Sequence, residues 1–203
     1  MSKPEPRSDS DSTGSLSPDE AWTLEGGRIR VTTVGTGEVE LVTAILDEAA
    51  LWLESRGLPG WPRPFPVDWI QAGISVGTCY LAWDGPMPVG TFTLQRTDPT
   101  FWGIRADEPP NYAQYLHRLA IRRSHEGLGR ALLDLAQRLA RRSGAVCLRL
   151  DCVAANPGIR RYYEAAGFEH RGDIDVMRGG SWRASLYEKR LVPLNRRPLA
   201  EGP

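Results

Sequence analysis

Apolar and polar positions alternate at the start of the chain's ordered pattern, with Ile29, Val31 and Thr33 set against Arg28, Arg30 and Thr32. This period of two marks a half-buried strand. The period then changes. Leu41, Val42, Ile45, Leu46, Ala49, Trp52 and Leu53 recur at spacings of three and four, one face of an amphipathic helix that Gly57 is placed to end. GLPGWPRPFP (57–66) reads as a proline-stiffened loop and VDWIQAGI as a short second helix. Strands are expected near 78–83 and 89–95, joined as a hairpin through DGPMP. A long connection, 97–112, carries Phe101, Trp102, Asp107 and Glu108; connections of that length commonly carry function or lack order. Tyr115 to Ile121 reads as another strand. The most regular helix follows, with Leu128, Ala131, Leu132, Leu135, Ala136, Leu139 and Ala140 in one stripe. Arg138, Arg141 and Arg142 crowd its end, where the helix dipole favours cations, and Gly144 closes it. AVCLRLDC reads as a buried strand, NPGIRRYYEAAG as a short helix, and two more strands fall near 168–177 and 184–191. The order β-α-α-β-β-β-α-β-α-β-β predicts one mixed sheet with helices on both faces.

Composition sets the limits of this domain. The opening MSKPEPRSDSDSTGSLSPDE is rich in Ser, Pro and charge and cannot bury enough surface to offset its chain entropy. Residues 1–24 are therefore expected to form a disordered tail, 25–192 the folded domain, and 193–203 a second loose tail. Lys plus Arg and Asp plus Glu each number 25, so the formal net charge is zero and the basic excess of a nucleic-acid binder is missing. Apolar runs fall short of the roughly 20 residues that span a bilayer, and the N-terminus lacks the apolar segment of a secretory signal. A cytoplasmic protein without membrane contact is the expectation. Cys79, Cys147 and Cys152 are too few and too scattered for a disulfide framework or a zinc site, so no metal is implied.

The candidate chemistry lies where strand 115–121 runs through Arg122-Arg123-Ser124-His125-Glu126 into Gly127-Leu128-Gly129-Arg130-Ala131. Amide groups in a helix's first turn have no internal partner, and the dipole makes that end electropositive. Glycines there let an anion approach the backbone, and Arg122, Arg123 and Arg130 add charge. A tight turn explains G-x-G taken alone; its place between a strand and so regular a helix favours a pyrophosphate site. No Walker run exists, and Leu132 stands where a dinucleotide fingerprint needs its third glycine. Downstream, Asn156 can cap a helix, Gly167 can end it in the left-handed conformation, and Tyr162 and Tyr163 lie on it.

Together, Leu119-Ala120-Ile121, Gly127-x-Gly129, Asn156 and Tyr163-Glu164-x-x-Gly167-Phe168 resemble the GNAT acetyltransferase superfamily, with a match covering Leu116 to Phe168. Ser124 stands where that family usually has Gln or Arg, and Ile159 where it has Ala. The resemblance implies an α/β (α+β) GNAT fold: one mixed, mostly antiparallel sheet of about six or seven strands with a splayed central parallel pair. It implies acetyl-CoA as cofactor, held by Leu119, Ala120, Ile121, His125, Glu126, Gly127, Leu128, Gly129, Arg130, Ala131, Asn156, Ile159 and Tyr163. A backbone N–H of strand 115–121 would polarise the thioester carbonyl. The amine attacks directly, so Cys147 and Cys152 read as core residues. Tyr163 would be the general acid and His117 the base, because imidazole titrates near neutrality. Strand alternation predicts Tyr115, His117, Leu119 and Ile121 on one face. Asp107 and Glu108 would attract a cationic amine, and Trp61 and Trp102 would wall its pocket. The expected activity is N-acetylation of a small-molecule primary amine by a monomer or homodimer. A non-catalytic acyl-CoA sensor and a protein or peptide N-acetyltransferase are the alternatives.

Overall fold

The computed structural model describes residues 21–24, 26–103, 107–177 and 182–191. In chain order these form β1 (Trp22–Thr23), β2 (Ile29–Thr33), α1 (Val39–Glu54), α2 (Asp68–Ser75), β3 (Cys79–Asp84) and β4 (Met87–Gln95). There follow β5 (Ala113–Ile121), α3 (Leu128–Arg142), β6 (Cys147–Val153), α4 (Pro157–Ala165), β7 (Glu169–Val176) and β8 (Trp182–Arg190). A single turn of 3-10 helix, Thr36–Glu38, leads into α1. The strands make one sheet in the order β1-β2-β3-β4-β5-β6-β8-β7. Among the pairings of the described residues only β5–β6 is parallel.

The sheet has eight strands, where the sequence suggests six or seven, and β1 accounts for the difference. Trp22 pairs with Val31 and Thr23 with Arg30, the Trp22 ring meets Tyr80 edge-on, and Leu24 is buried. A loose N-terminal segment reaching residue 24 is thus corrected: Trp22 to Leu24 belong to the folded body, because their apolar side chains find partners on the sheet. Residues 1–20 and 193–203, where the two tails are expected, lie outside the described residues.

Helices cover both faces, as the alternation predicts. Val42, Ile45 and Leu46 of α1 and Ile70 and Ile74 of α2 form a core with Cys79, Leu81 and Ala120 on one face. Leu128, Leu132, Leu135, Ala136, Leu139 and Ala140 of α3 form the larger core on the other, joined there by Tyr163 of α4. No helix among the described residues is long and apolar enough to cross a membrane.

Helix α3 packs tightly over the sheet at Gly90. A Cβ there would stand 2.8 Å from Leu132 Cδ1 and 3.3 Å from the Ala120 carbonyl oxygen, and Leu132 is fully buried. Gly90→Ala is therefore expected to overpack this contact at a cost of about 1–3 kcal/mol. Thermal unfolding should show a Tm lower by several degrees; an unchanged Tm would mean that Leu132 can swing aside.

Candidate active site at the splayed strands

The two parallel strands part company halfway along. Pairing runs from Ala113–Cys147 to Leu116–Leu150 and stops, although β5 continues to Ile121 and β6 to Val153. The cause lies in β5. Against β4, Thr93 faces His117 and Thr91 faces Ala120, so Arg118 and Leu119 together oppose Phe92. Arg118 takes a left-handed φ of 55°. This is a β-bulge, which bends its strand and sharpens the twist.

The bulge also breaks the alternation. Leu119 and Ile121 pack against the α3 core, and Ala120 lies in the α1–α2 core. His117 borders a cavity with Asp68 and Trp69 of α2. The expectation that His117, Leu119 and Ile121 share one face is therefore corrected, since one extra residue reverses the strand's phase.

At the far end of β5 the chain turns into α3. Gly127, at the N-cap position, has φ 87° and no side-chain cap bond, and α3's first turn carries no acidic residue. The contrast with α4 is direct: Asn156 Oδ1 accepts from the Gly158 and Ile159 amides at 3.1 and 3.2 Å. One helix start is closed by its own side chain; the other is open to an anion. A Cβ on Gly127 would meet nothing within 4 Å, and one on Gly129 would stand 3.4 Å from Tyr162 Oη.

The arginines beside this turn are already engaged. Arg122 Nε donates to the Pro88 carbonyl at 2.7 Å, and its guanidinium pairs with Glu48 of α1. Arg123 donates its amide to Glu48 Oε1 at 3.1 Å and lays its guanidinium 4.4 Å from the Trp52 ring centroid. Arg130 pairs with Asp134 one turn on. Extra positive charge from Arg122 and Arg123 at the phosphate point is thus corrected, because both side chains turn toward α1. Ser124 Oγ lies 2.9 Å from His125 Nδ1, and His125 Nε2 lies 3.1 Å from Asp84 Oδ2. Hydrogen bonds from Arg28 and then His125 hold the Asp84 carboxyl below its usual range.

Tyr163 sits on α4 among the rings of Tyr162, Phe168 and Tyr187. Burial first, and the neighbouring Cys152 second, push its phenol well above the ordinary tyrosine value. Such a group keeps its proton throughout the physiological range and gives it up to a thiolate at greater cost than an exposed tyrosine would. The three cysteines are free and buried. Burial pushes the thiols of Cys147 and Cys152 up to about 12, so neither is a thiolate near neutrality.

His117 stands at the point where pairing ends, between two carboxylates. Its Nδ1 is 3.6 Å from Asp151 Oδ1 on β6 and its Nε2 is 3.5 Å from Asp98 Oδ2 on the 97–112 connection. Asp98 is 5% exposed. Burial pushes its carboxyl up, and the His117 charge partly opposes that. A cavity of about 250 Å³ opens beside the pair, lined among others by Asp68, Trp69, Asp98, Phe101 and His117. Asp98, His117 and Asp151 each offer one atom within 4.8 Å of the others, a spacing that a cation could bridge.

Three residues expected to receive the acceptor lie elsewhere. Glu108 is bound in bidentate fashion by Arg149, whose Nε also reaches Glu188 at 2.7 Å. Trp102 is buried, with that same guanidinium 4.7 Å from its ring centroid. Trp61 borders a separate cavity with Glu54, Gly57 and Leu58, at the end of α1. Asp107 is exposed on the connection. Asp98 and Asp151 bear on the site instead. Asp151 was discernible as a charge in the apolar run CLRLDC; Asp98 gave no signal, since only the fold carries it to His117.

An open strand edge beside an uncapped, glycine-lined helix start suits an extended ligand that ends in phosphates. The family is explicit in the comparisons: residues 45–168 match the Acetyltransferase (GNAT) family. The chain belongs to that family, is an acetyltransferase, and uses acetyl-CoA. It is 28% identical over 144 residues to the N-acetyltransferase YesJ of Bacillus subtilis, covering 66% of this chain and 78% of YesJ. A GNAT acetyltransferase from Listeria monocytogenes shares its fold at TM-score 0.65 and 24% identity, over 85% of this chain and 100% of that one. So does yncA of Salmonella typhimurium, solved with its cofactor acetyl-CoA, at TM-score 0.59 and 17% identity over 83% and 96%.

The buried Arg149 cluster yields a prediction. Burial raises the Glu188 carboxyl, but hydrogen bonds and charge from Arg149 and Arg171 outweigh it and hold it below its ordinary value. The stability this contributes is complete above the unfolded value of about 4.3 and is lost as pH falls through the folded value. Arg149→Met, which leaves Glu108 and Glu188 without their shared cation, should cost about 3–5 kcal/mol at neutral pH. The loss should shrink below a pH of about 4. Thermal unfolding at pH 7 and pH 3.5 checks this, and an equal fall in Tm at both would speak against it.

Proposed function

We propose that the chain transfers the acetyl group of acetyl-CoA to the primary amine of a small molecule by direct attack. The observation that carries this reading is His117, placed where β5 and β6 separate and bordering a compact cavity on the α2 side. A volume of about 250 Å³ suits a small acceptor better than an extended peptide.

The residues present fit acetyl-CoA. Gly127, Leu128 and Gly129 open the uncapped start of α3 toward phosphate oxygens, with His125, Glu126, Arg130 and Ala131 flanking it. Past Leu116 the edge of β5 that faces β6 has no strand paired to it among the described residues, so Leu119, Ala120 and Ile121 offer backbone groups to an extended ligand. Asn156 shapes α4 by capping it, and Ile159 packs beside Tyr163 against the α3 core. Bound there, acetyl-CoA supplies an activated acetyl group as a thioester.

The chain's own residues then manage two protons. His117, which lies 3.5 and 3.6 Å from the carboxyl groups of Asp98 and Asp151, takes one from the incoming ammonium. Tyr163 holds another at its phenol for the departing sulfur, and burial keeps that proton in place until then. No protein nucleophile takes part.

Acetyl-CoA at about 100 times its Kd should add roughly 2.7 kcal/mol of stability. For a domain of this size that is a rise in Tm of about 5–10 °C, absent with NAD or ATP. No rise would remove the cofactor assignment; a rise without turnover on any amine would leave a binding module.

Tyr163→Phe should keep acetyl-CoA affinity and lower turnover about ten- to a thousand-fold, the range for loss of a general acid. Unchanged turnover would take Tyr163 out of the reaction. His117→Ala should lose most of its rate near neutral pH and regain it in alkali, where the amine is already deprotonated. A uniform loss across pH would assign His117 to packing.

A further inference from the structure

Asp98 lies outside every motif, yet the fold fixes it beside the reacting point. Its Oδ1 accepts from the Phe101 amide at 3.1 Å, and its carbonyl accepts from the Trp102 amide at 3.0 Å. The turn holds the carboxylate in one orientation. Oδ2 is left buried and without a hydrogen bond among the described residues, as is His117 Nε2, 3.5 Å away. A buried carboxylate oxygen without a donor is costly unless a cation reaches it. The cavity that borders this oxygen has the rings of Trp69 and Phe101 in its lining, and Phe101 lies 6.3 Å from the His117 ring and 5.9 Å from Trp182, centroid to centroid.

We infer that Asp98 is the acceptor-binding residue, its Oδ2 receiving the ammonium of a compact primary amine whose apolar body lies between Trp69 and Phe101. The inference rests on the acetyltransferase reading above and narrows its substrate class. Aromatic faces attract a neighbouring ammonium as well as an apolar chain. The bound ammonium bridges Asp98 and His117, so the group that recognises the charge delivers its proton to the imidazole. The carboxyl groups of Asp98 and Asp151 flank His117 on either side, an arrangement that suits a cationic acceptor better than a neutral one. Bulk is limited by the cavity, which excludes acceptors as large as an aminoglycoside.

The test measures initial rates with phenethylamine, butylamine, kanamycin and a lysine-containing hexapeptide, using the full chain. Phenethylamine or butylamine should be preferred. Asp98→Asn keeps the side chain's shape and its Oδ1 acceptor while removing the charge. It should raise the KM for the preferred amine about 10- to 100-fold, the loss expected for a charge-assisted hydrogen bond. Its kcat should change less than about threefold and its KM for acetyl-CoA not at all. Preference for kanamycin or the hexapeptide, an unchanged amine KM in Asp98→Asn, or a loss confined to kcat would overturn the inference. So would activity abolished by EDTA and restored by zinc, which would assign the Asp98–His117–Asp151 cluster to a metal. Failure of acetyl-CoA to bind in calorimetry would strike the parent reading instead. Acetyl-CoA binding with none of the four amines turned over would leave that reading standing and refute the compact-amine class.

Discussion

Beyond Leu116 and Leu150 the two central parallel strands no longer share hydrogen bonds, and the rest of the site is arranged around that gap. A strand pair normally keeps pairing until one partner ends, because unpaired backbone groups are costly in a protein interior. Here both strands run on while a bulge at Arg118 bends one of them away. The bulge opens an edge on β5, and it turns Leu119 and Ile121 toward α3 while leaving His117 on the side of α2. Neighbouring residues of one short stretch of β5 thus serve opposite faces of one sheet.

Ion pairs, some at the surface and some buried, hold the surrounding pieces in register. Glu48 of α1 binds both Arg122 and Arg123, so α1 is tied to the turn that precedes α3. On the other half of the sheet Arg149 gathers Glu108, Glu188 and the Tyr115 hydroxyl and lies under the Trp102 ring. That cluster pins the connection carrying Asp98 and Phe101 against β5 and β6. Charges of this kind add little net stability over apolar replacements, but losing one partner is expensive. Their value here is positional: each fixes a segment that contributes to the site without belonging to a strand or helix.

Much of this protein was legible in the sequence. The stripe Leu128–Ala140, the hairpin through DGPMP, the Asn156 cap and the left-handed Gly167 each follow from local rules, and the elements stand where those rules put them. Periodicity and capping depend on neighbours three or four residues away, and a single chain displays them directly. The motif Gly127-x-Gly129 and the Tyr163-Glu164-x-x-Gly167-Phe168 run extend that legibility to the family.

Only the tertiary structure decided the rest. A bulge leaves no mark in the alternation of Tyr115 to Ile121, so the face of His117 could not be read from its strand. Arg122 and Arg123 read as added positive charge near a phosphate point until α1 supplied Glu48, and Glu108 looked like an amine-binding carboxylate until β6 supplied Arg149. Asp98 was one acidic residue in a long connection. What a charged side chain does depends on which oppositely charged group lies within a few ångströms, and for these residues the partner is tens of positions away along the chain. Sequence determined the elements and the family because local backbone chemistry encodes them. Folding alone determined which charges meet, because Coulomb attraction acts through space and not along the chain.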